Sequence, residues 1–323
     1  MNADNYRKTK WNKPFIAQRA DPYILHALDG SFYFTASVPA YDEIVLRHSD
    51  TLDGLKDAEE ISVWKKHESG IMSIHIWAPE LHYLRGEWYI YYAGGDKDDV
   101  WAIRPYVLKC TGQDPLHDPW VEMGLLERVD AFCFNEFSLD MTVFEHRDRM
   151  YVIWAEKVNI GKRISNLYIA ELETPTKLKS EQVLLTTPDY DWERVDFWVN
   201  EGPAVMKADG KIFVTYSASA TGVCYCMGMM SVAEDADLLD PRVWTKERWP
   251  VLKTDEAYGL FGPGHNTFFT DEQGRLVTSY HARPYDEIVG DPLYDINRHT
   301  YLMDVPVVNG KPVFSYENNR INP

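Results

Sequence analysis

Apolar residues in this chain fall in short runs, rich in aromatic and β-branched side chains, each closed off by polar turn residues. Phe32-Tyr33-Phe34-Thr35, Trp88-Tyr89-Ile90-Tyr91-Tyr92, Met150-Tyr151-Val152-Ile153-Trp154 and Ile212-Phe213-Val214-Thr215-Tyr216 all have this form. Such runs predict strands. Strands such as 22–28 and 203–208 precede them and end in turn dipeptides. Asp29-Gly30 and Asp209-Gly210 are strong hairpin signals, because a type I′ turn needs positive φ at both central residues. Arg85-Gly86 and Gln273-Gly274 serve the same role, while Asp148-Arg149 departs from the pattern. Segments such as Asn166 to Glu171 and Ala102 to Cys110 read as further strands between the hairpins.

The hairpins repeat. Five segments align when the turn residues Gly30, Gly86, Arg149, Gly210 and Gly274 are superimposed: Asp21 to Ser37, Trp77 to Ala93, Asp140 to Glu156, Glu201 to Ser217 and His265 to His281. Their leading residues lie nine positions before the turn and are separated by 56, 63, 61 and 64 residues. A period near sixty along the chain marks a repeat architecture. Four strands for each of five repeats gives about twenty strands, and a propeller places the first strand of every blade around one axis. The expected fold is therefore all-β, a five-bladed β-propeller with about four antiparallel strands per blade, with residues 1–323 as a single domain. Asp21, Trp77, Asp140, Glu201 and His265 would then ring one mouth of the axis. Glycine and proline are spread evenly, and no linker marks a domain boundary.

Composition narrows the partners. A net charge of −17 argues against a nucleic-acid backbone or an anionic membrane. No apolar run approaches the ~18 residues of a membrane helix. Aromatic residues make up 14%, with 11 Trp and 20 Tyr, which suits β-sheet cores and also stacking platforms for sugar rings. Four cysteines are too few and too irregular for a disulfide framework, and the Cys224-Tyr225-Cys226 spacing suits neither a redox pair nor a zinc pair. They read as buried reduced thiols. The opening MNADNYRKTKWNKPF has basic residues but no apolar signal core, so the expected location is cytoplasmic, or secreted if a leader has been removed.

Three carboxylates, a histidine and an indole around one funnel suit glycoside hydrolysis, which needs one carboxylic acid to protonate the leaving oxygen and one carboxylate to activate water or attack the sugar. A third carboxylate can tune the acid, since a neighbouring like charge raises its pKa. A lone Asp or Glu beside Pro or Gly is usually a turn residue, and a lone His usually packs. Their shared position in the repeat favours the functional reading.

At these residues the chain resembles glycoside hydrolase family 43, five-bladed propeller enzymes acting on arabinan, arabinoxylan and xylan. The matching motifs are Ala20-Asp21-Pro22, Trp77-Ala78-Pro79-Glu80, Ser138-Leu139-Asp140, Asn200-Glu201-Gly202-Pro203 and Gly262-Pro263-Gly264-His265-Asn266, in that order along the chain. The resemblance implies an inverting mechanism with Asp21 as general base, Asp140 tuning and orienting, and Glu201 as general acid. It implies Trp77, His265 and Arg283 as substrate-binding residues. Some members hold a metal ion, often calcium, in the central channel, and His265 matches the residue that contacts it directly or through water. No cofactor is needed for the chemistry.

The motif set looks most like members that release terminal L-arabinofuranose from α-1,5-linked arabino-oligosaccharides or arabinan. β-Xylosidase and endo-arabinanase are the alternatives within the family, and a non-catalytic sugar-binding propeller is the alternative of a different class. A lectin propeller tends to repeat one set of binding residues, whereas here the repeat position carries Asp, Trp, Asp, Glu and His. Residues 284–323 are too few for an appended β-sandwich. For a closed pocket, the segments Tyr41 to Ser73 and Tyr190 to Asn200 are the expected walls.

Overall fold

The structure, a computed structural model, describes residues 13–158 and 164–320. Its sheets are antiparallel meanders in chain order. The first contains β1 (Ala20–His26), β2 (Phe32–Ser37), β3 (Glu43–Ser49) and β4 (Ile61–Lys65). The second contains β5 (Ile74–Leu84), β6 (Glu87–Asp96), β7 (Asp99–Cys110) and β8 (Trp120–Leu125). The third contains β9 (Ser138–His146), β10 (Arg149–Val158) and β11 (Ile164–Thr174), edged by β12 (Lys177–Leu178) and β13 (Val183–Thr186). The fourth contains β14 (Trp198–Ala208), β15 (Lys211–Ala218), β16 (Cys226–Ala233) and β17 (Thr245–Lys246), and the fifth β18 (Phe261–Thr270), β19 (Leu276–Arg283) and β20 (His299–Asp304). A short parallel pairing of β11 with β14 joins the third and fourth sheets.

The five leading strands close a ring. β1 touches β5 and β18, β9 touches β5 and β14, and β14 touches β18. This is a five-bladed propeller. The last blade has three long strands, and the chain start completes it: Ile16 bridges Thr300 of β20, and the Phe15 N–H donates to the Thr300 carbonyl.

The second strand of each blade is buried almost throughout, as in Phe32–Ser37 and Lys211–Ala218. A strand covered on both faces needs a continuous apolar run instead of alternation, and the gaps between blades supply the two covers. Ile90, Tyr92 and Leu108 pack on Ile44 and Leu46; Val152 and Trp154 pack with Tyr91 and Val107; Ile212 and Val214 pack with Ile153 and Ile169. Phe32 and Phe34 meet Phe269 and Val277, which closes the circle. The core is therefore a set of inter-blade layers.

Each leading strand carries a bulge near its start. The registers jump between Ala20 and Tyr23, Trp77 and Glu80, Glu201 and Ala204, and Gly264 and Thr267, and on β10 between Ile153 and Ala155 opposite the start of β9. The bulge residue has positive φ in all five: Asp21 (53°), Ala78 (46°), Asp140 (56°), Gly202 (53°) and His265 (46°). Pro22, Pro79 and Pro203 follow three of them, and a proline leaves no N–H unpaired in a broken ladder. Four bulge N–H groups donate into the preceding blade: Ala78 to Ser37 Oγ (2.8 Å), Gly202 to Asp140 Oδ2 (2.9 Å), His265 to Ser217 Oγ (2.7 Å) and Asp21 to His281 Nδ1 (3.1 Å).

The repeat position is therefore two adjacent positions. Asp21, Asp140 and His265 are bulge residues, whereas Trp77 and Glu201 stand one residue before theirs. The nine-residue spacing conceals this because the hairpins differ. Three turn in two residues with both φ positive: Arg85-Gly86, Arg147-Asp148 and Asp209-Gly210. The third turn thus lies one residue before the expected Asp148-Arg149. The first and last hairpins, expected as two-residue turns at Asp29-Gly30 and Gln273-Gly274, use five-residue connections, 27–31 and 271–275.

Ser217 is fully buried, so Ser217→Ala leaves the His265 N–H without its acceptor. An unsatisfied buried donor costs about 1–3 kcal/mol. Urea unfolding of Ser217→Ala should show a lower midpoint at unchanged m-value; a wild-type midpoint would remove the stabilising role of this link.

Candidate active site

The bulges turn their side chains into a pocket of about 310 Å³ at one mouth of the axis, and Asp21, Trp77, Asp140, Glu201 and His265 all line it. That volume is at the lower end of small-ligand sites. A larger groove of about 820 Å³ lies near Arg275, Asp304 and Arg320, where Arg320 pairs with Asp304 and Asp271.

Asp21 sits at the centre of the polar contacts. Its Oδ2 accepts from Ser37 Oγ (2.6 Å), while Oδ1 lies 3.3 Å from His265 Nδ1 and 3.6 Å from Arg298 Nη1. Burial alone would raise its carboxyl, but the charges of His265 and Arg298 outweigh it and hold the group well below the usual carboxylate range. The backbone N–H of Asp21 donates to His281 Nδ1, which makes that nitrogen an acceptor. The 3.2 Å approach of the same nitrogen to Asp21 Oδ1 is then a close contact and not a second hydrogen bond. Burial pushes His281 down to about 3, so its ring is neutral.

The other two carboxyls move the opposite way. Burial pushes Asp140 up, and the charges of Glu201 and Asp21 add to it against His265 and the Gly202 N–H. Burial also pushes Glu201 up, against Lys157 and the hydroxyl of Tyr225, which donates to Oε1 (2.9 Å). His265 lies 3.9 Å from Asp140 Oδ2 as well as 3.3 Å from Asp21. Burial would lower this histidine, but Asp140, Asp21, Glu201 and Glu80 raise it on balance. One mouth thus holds an ionised carboxylate, a proton-retaining carboxyl pair and a histidine biased toward its cation.

Gly264, one residue before the His265 bulge, has a steric reason. A Cβ there would come within 2.3 Å of the Tyr225 ring and 2.9 Å of Ser217 Oγ, the two side chains that hold Glu201 and the His265 backbone.

The profile of the glycosyl hydrolases family 43 matches residues 11–312. This chain belongs to that family. It is 46% identical over 296 residues to the extracellular exo-alpha-(1->5)-L-arabinofuranosidase of Streptomyces avermitilis, covering 91% of this chain and 61% of that protein. The protein of the same name from Streptomyces chartreusis is 45% identical over 287 residues, covering 88% of this chain and 86% of its own. Among solved structures, the alpha-L-arabinofuranosidase from Lactobacillus brevis superimposes with a TM-score of 0.88 at 46% identity, over 98% of each chain. The chain spans about three fifths of the length of the first of these relatives. The expected cytoplasmic location is overturned: both Streptomyces proteins are named extracellular. Residues 1–12, which hold most of the segment read for a leader, lie outside the described residues.

The structure of this family-43 protein corrects the arginine. Arg283 is fully buried behind the pocket wall, donating to Asp295 Oδ2 (2.9 Å), the Thr221 carbonyl (2.8 Å) and the Pro292 carbonyl (2.7 Å). It fastens two pocket-lining segments together. Among the described residues the arginine that lines the pocket is Arg298, which donates to the Tyr41 hydroxyl (2.5 Å), and Tyr41 in turn donates to the Leu293 carbonyl (2.5 Å).

The walls differ from expectation too. Tyr190 to Asn200 contributes Phe197, Trp198 and Val199, but Tyr41 to Ser73 contributes no lining residue; Trp101, Phe137, Thr221, Asp291 and Leu293 complete the mouth. The segment 190–200 is anchored by fully buried Glu193. Its carboxylate accepts from Tyr216, Asn200 and the backbone of Asp189 and Tyr190, and pairs with Lys246 (2.7 Å). All four cysteines are free, with Cys224 half-buried and the others buried.

Among the described residues no group of three His, Cys, Asp or Glu side chains is placed to grip a metal, and His265 directs Nδ1 at Asp21. Histidine is also a poor ligand for a hard cation. The donor set does not fit a protein cage for calcium.

The raised carboxyls give stability a sign. A carboxyl raised in the folded state stabilises fully below its unfolded pKa and loses that contribution as pH rises through the folded value. Glu201→Gln removes the group that must ionise in a buried site, while an amide oxygen can still accept from Tyr225. Its melting temperature relative to the parent should therefore climb as pH is raised from about 4, near an unperturbed Glu, toward 8. A difference independent of pH would show that Glu201 is not raised.

Proposed function

We propose that this family-43 protein is an inverting exo-α-L-arabinofuranosidase that releases terminal L-arabinofuranose from α-1,5-linked arabino-oligosaccharides or arabinan. The observation that carries the reading is the opposite displacement of two carboxyls in one pocket, Asp21 held low and Glu201 held high. Inversion requires such a pair, a base already ionised and an acid still protonated at the same pH. The names of the Streptomyces and Lactobacillus relatives support the sugar.

In this reading Asp21, its proton given up to the field of His265 and Arg298, accepts a proton from water as that water attacks the anomeric carbon. Glu201 donates its proton to the departing glycosidic oxygen, and Tyr225 orients the carboxyl. Asp140 tunes the acid as its partner, since like charge keeps the two carboxyls from ionising together. Trp77 presents an apolar face to the sugar, and a pocket walled on one side by 291–298 supports attack on a chain end over attack within a chain. Residues 13–320 act as one propeller. Because the donor set lacks a cage, calcium remains a proposal only for a hydrated ion contacted by His265 through water. A secreted location follows the naming of the Streptomyces relatives.

Two outcomes test the chemistry. Proton NMR of the first turnovers on α-1,5-arabinobiose should show β-arabinofuranose before mutarotation; an initial α-anomer would exclude inversion. Asp21→Ala should abolish turnover of every substrate, whereas Glu201→Ala should lose far more on arabinobiose than on an activated aryl arabinofuranoside, whose leaving group needs less protonation. Equal losses on both substrates for Glu201→Ala would refute its role as acid.

A further inference from the structure

A column of three rings runs from the pocket floor to its rim. Trp77, 6% exposed, stacks on His75 with centroids 4.4 Å apart and planes 29° apart. His75, itself buried, stacks on Trp101 at 5.3 Å and 28°. Trp101 lines the same pocket yet is 47% exposed. The column thus begins beside the carboxylates and ends in open solvent.

His75 is held at both ring nitrogens. Nδ1 lies 2.9 Å from the Val100 carbonyl and can only donate to it, which leaves Nε2 to accept from the Tyr294 hydroxyl at 3.2 Å. Burial lowers its pKa and favours this neutral tautomer. The Val100 contact fixes the residue next to Trp101, and the Tyr294 contact ties the start of β5 to the 291–298 segment. A large apolar side chain braced this firmly while half exposed forgoes burial that would stabilise the fold. A rigid flat face beside a polar pocket is what stacking against the C–H face of a sugar requires.

We propose that Trp101 is the binding platform for the sugar on the leaving-group side of the scissile bond, and that His75 is its positioning residue. This rests on the arabinofuranosidase reading. The terminal sugar occupies the buried part of the pocket at Trp77, so the next sugar of a linear oligosaccharide emerges where the column reaches solvent. Phe197, 65% exposed at the same mouth, is the rival platform.

The test compares α-1,5-arabinotriose with methyl α-L-arabinofuranoside, which has a terminal sugar but no second one. Trp101→Ala should raise KM for arabinotriose about tenfold, the ~1.4 kcal/mol of one aromatic stacking contact, and should raise KM for the methyl glycoside far less. His75→Ala should reproduce that preference, His75→Phe should restore much of it by keeping the stack, and the double variant should be no worse on arabinotriose than the worse single one. Melting curves identify any variant that fails to fold, and Trp101→Ala, altering an exposed side chain, is the arm that decides. Equal losses on both substrates, no loss on either, or a selective loss in Phe197→Ala in place of Trp101→Ala would each overturn the proposal. If the wild type cleaves neither arabinoside, the arabinofuranosidase reading fails, and the same comparison with xylobiose and methyl β-xyloside then decides the platform.

Discussion

The site depends on one backbone device, a left-handed residue near the start of each leading strand. A strand in a propeller directs its side chains at the two neighbouring blades, so a side chain meant for the axis needs a break in the pleat. The bulge supplies it, and left-handed geometry in a non-glycine residue carries strain that the surroundings must offset. The offset here is a donation from the bulge N–H into the previous blade, made at Ala78, Gly202, His265 and Asp21. Because each acceptor belongs to another blade, the functional side chains are set by the closure of the ring. In three cases the acceptor also touches the pocket carboxyls: Asp140 receives the Gly202 N–H, Ser37 receives the Ala78 N–H while donating to Asp21, and His281 receives the Asp21 N–H while lying against its carboxylate.

That closure confines charges that would not otherwise share a dry space. Opposite unit charges 3.3 Å apart, the Asp21–His265 separation, attract by about 5 kcal/mol at an effective dielectric near 20. The desolvation cost of each buried ion is also several kcal/mol, so one pair roughly balances it. Arg298 adds a second cation beside Asp21 and tips that carboxyl toward ionisation. Among the described residues Asp140 and Glu201 have no equivalent arginine, and both remain raised. The split between a low and a high carboxyl thus follows from which of them lies beside Arg298, among the described residues the one arginine lining the pocket.

Much of this was legible in the sequence, and the failures have physical causes. The all-β propeller followed from the sixty-residue period because each hairpin is a complete local unit. Loop length was less legible: Asp29-Gly30 looks like a two-residue turn, yet Asp29 accepts from the Ser31 backbone and side chain inside a five-residue connection. The turn-based alignment therefore merged bulge residues with residues before them. Ser37, Ser217 and His281 were visible as the last letters of three aligned segments; each faces the start of its leading strand, and the meaning of that position is clear only once strands pair. The sequence next to His281 suggested Arg283 as a sugar ligand, but its side chain points behind the wall, while Arg298 enters on β20's approach with no motif around it.

The exchange of those two arginines bears on how the pocket wall is held. Arg283 binds the carbonyls of Thr221 and Pro292 with one planar group, so the wall from the fourth blade and the wall from the fifth cannot part without unpairing a buried cation. Arg298, through Tyr41, holds the Leu293 carbonyl from the pocket side. The segment carrying Asp291 and Leu293 is therefore gripped from behind by a guanidinium that does not line the pocket and from within by one that also sets the Asp21 charge. Loosening that segment would then disturb the Asp21 carboxylate as well as the pocket shape. A surface loop laid over an open groove would not couple the two. In this chain, closure and acid–base asymmetry share Arg298.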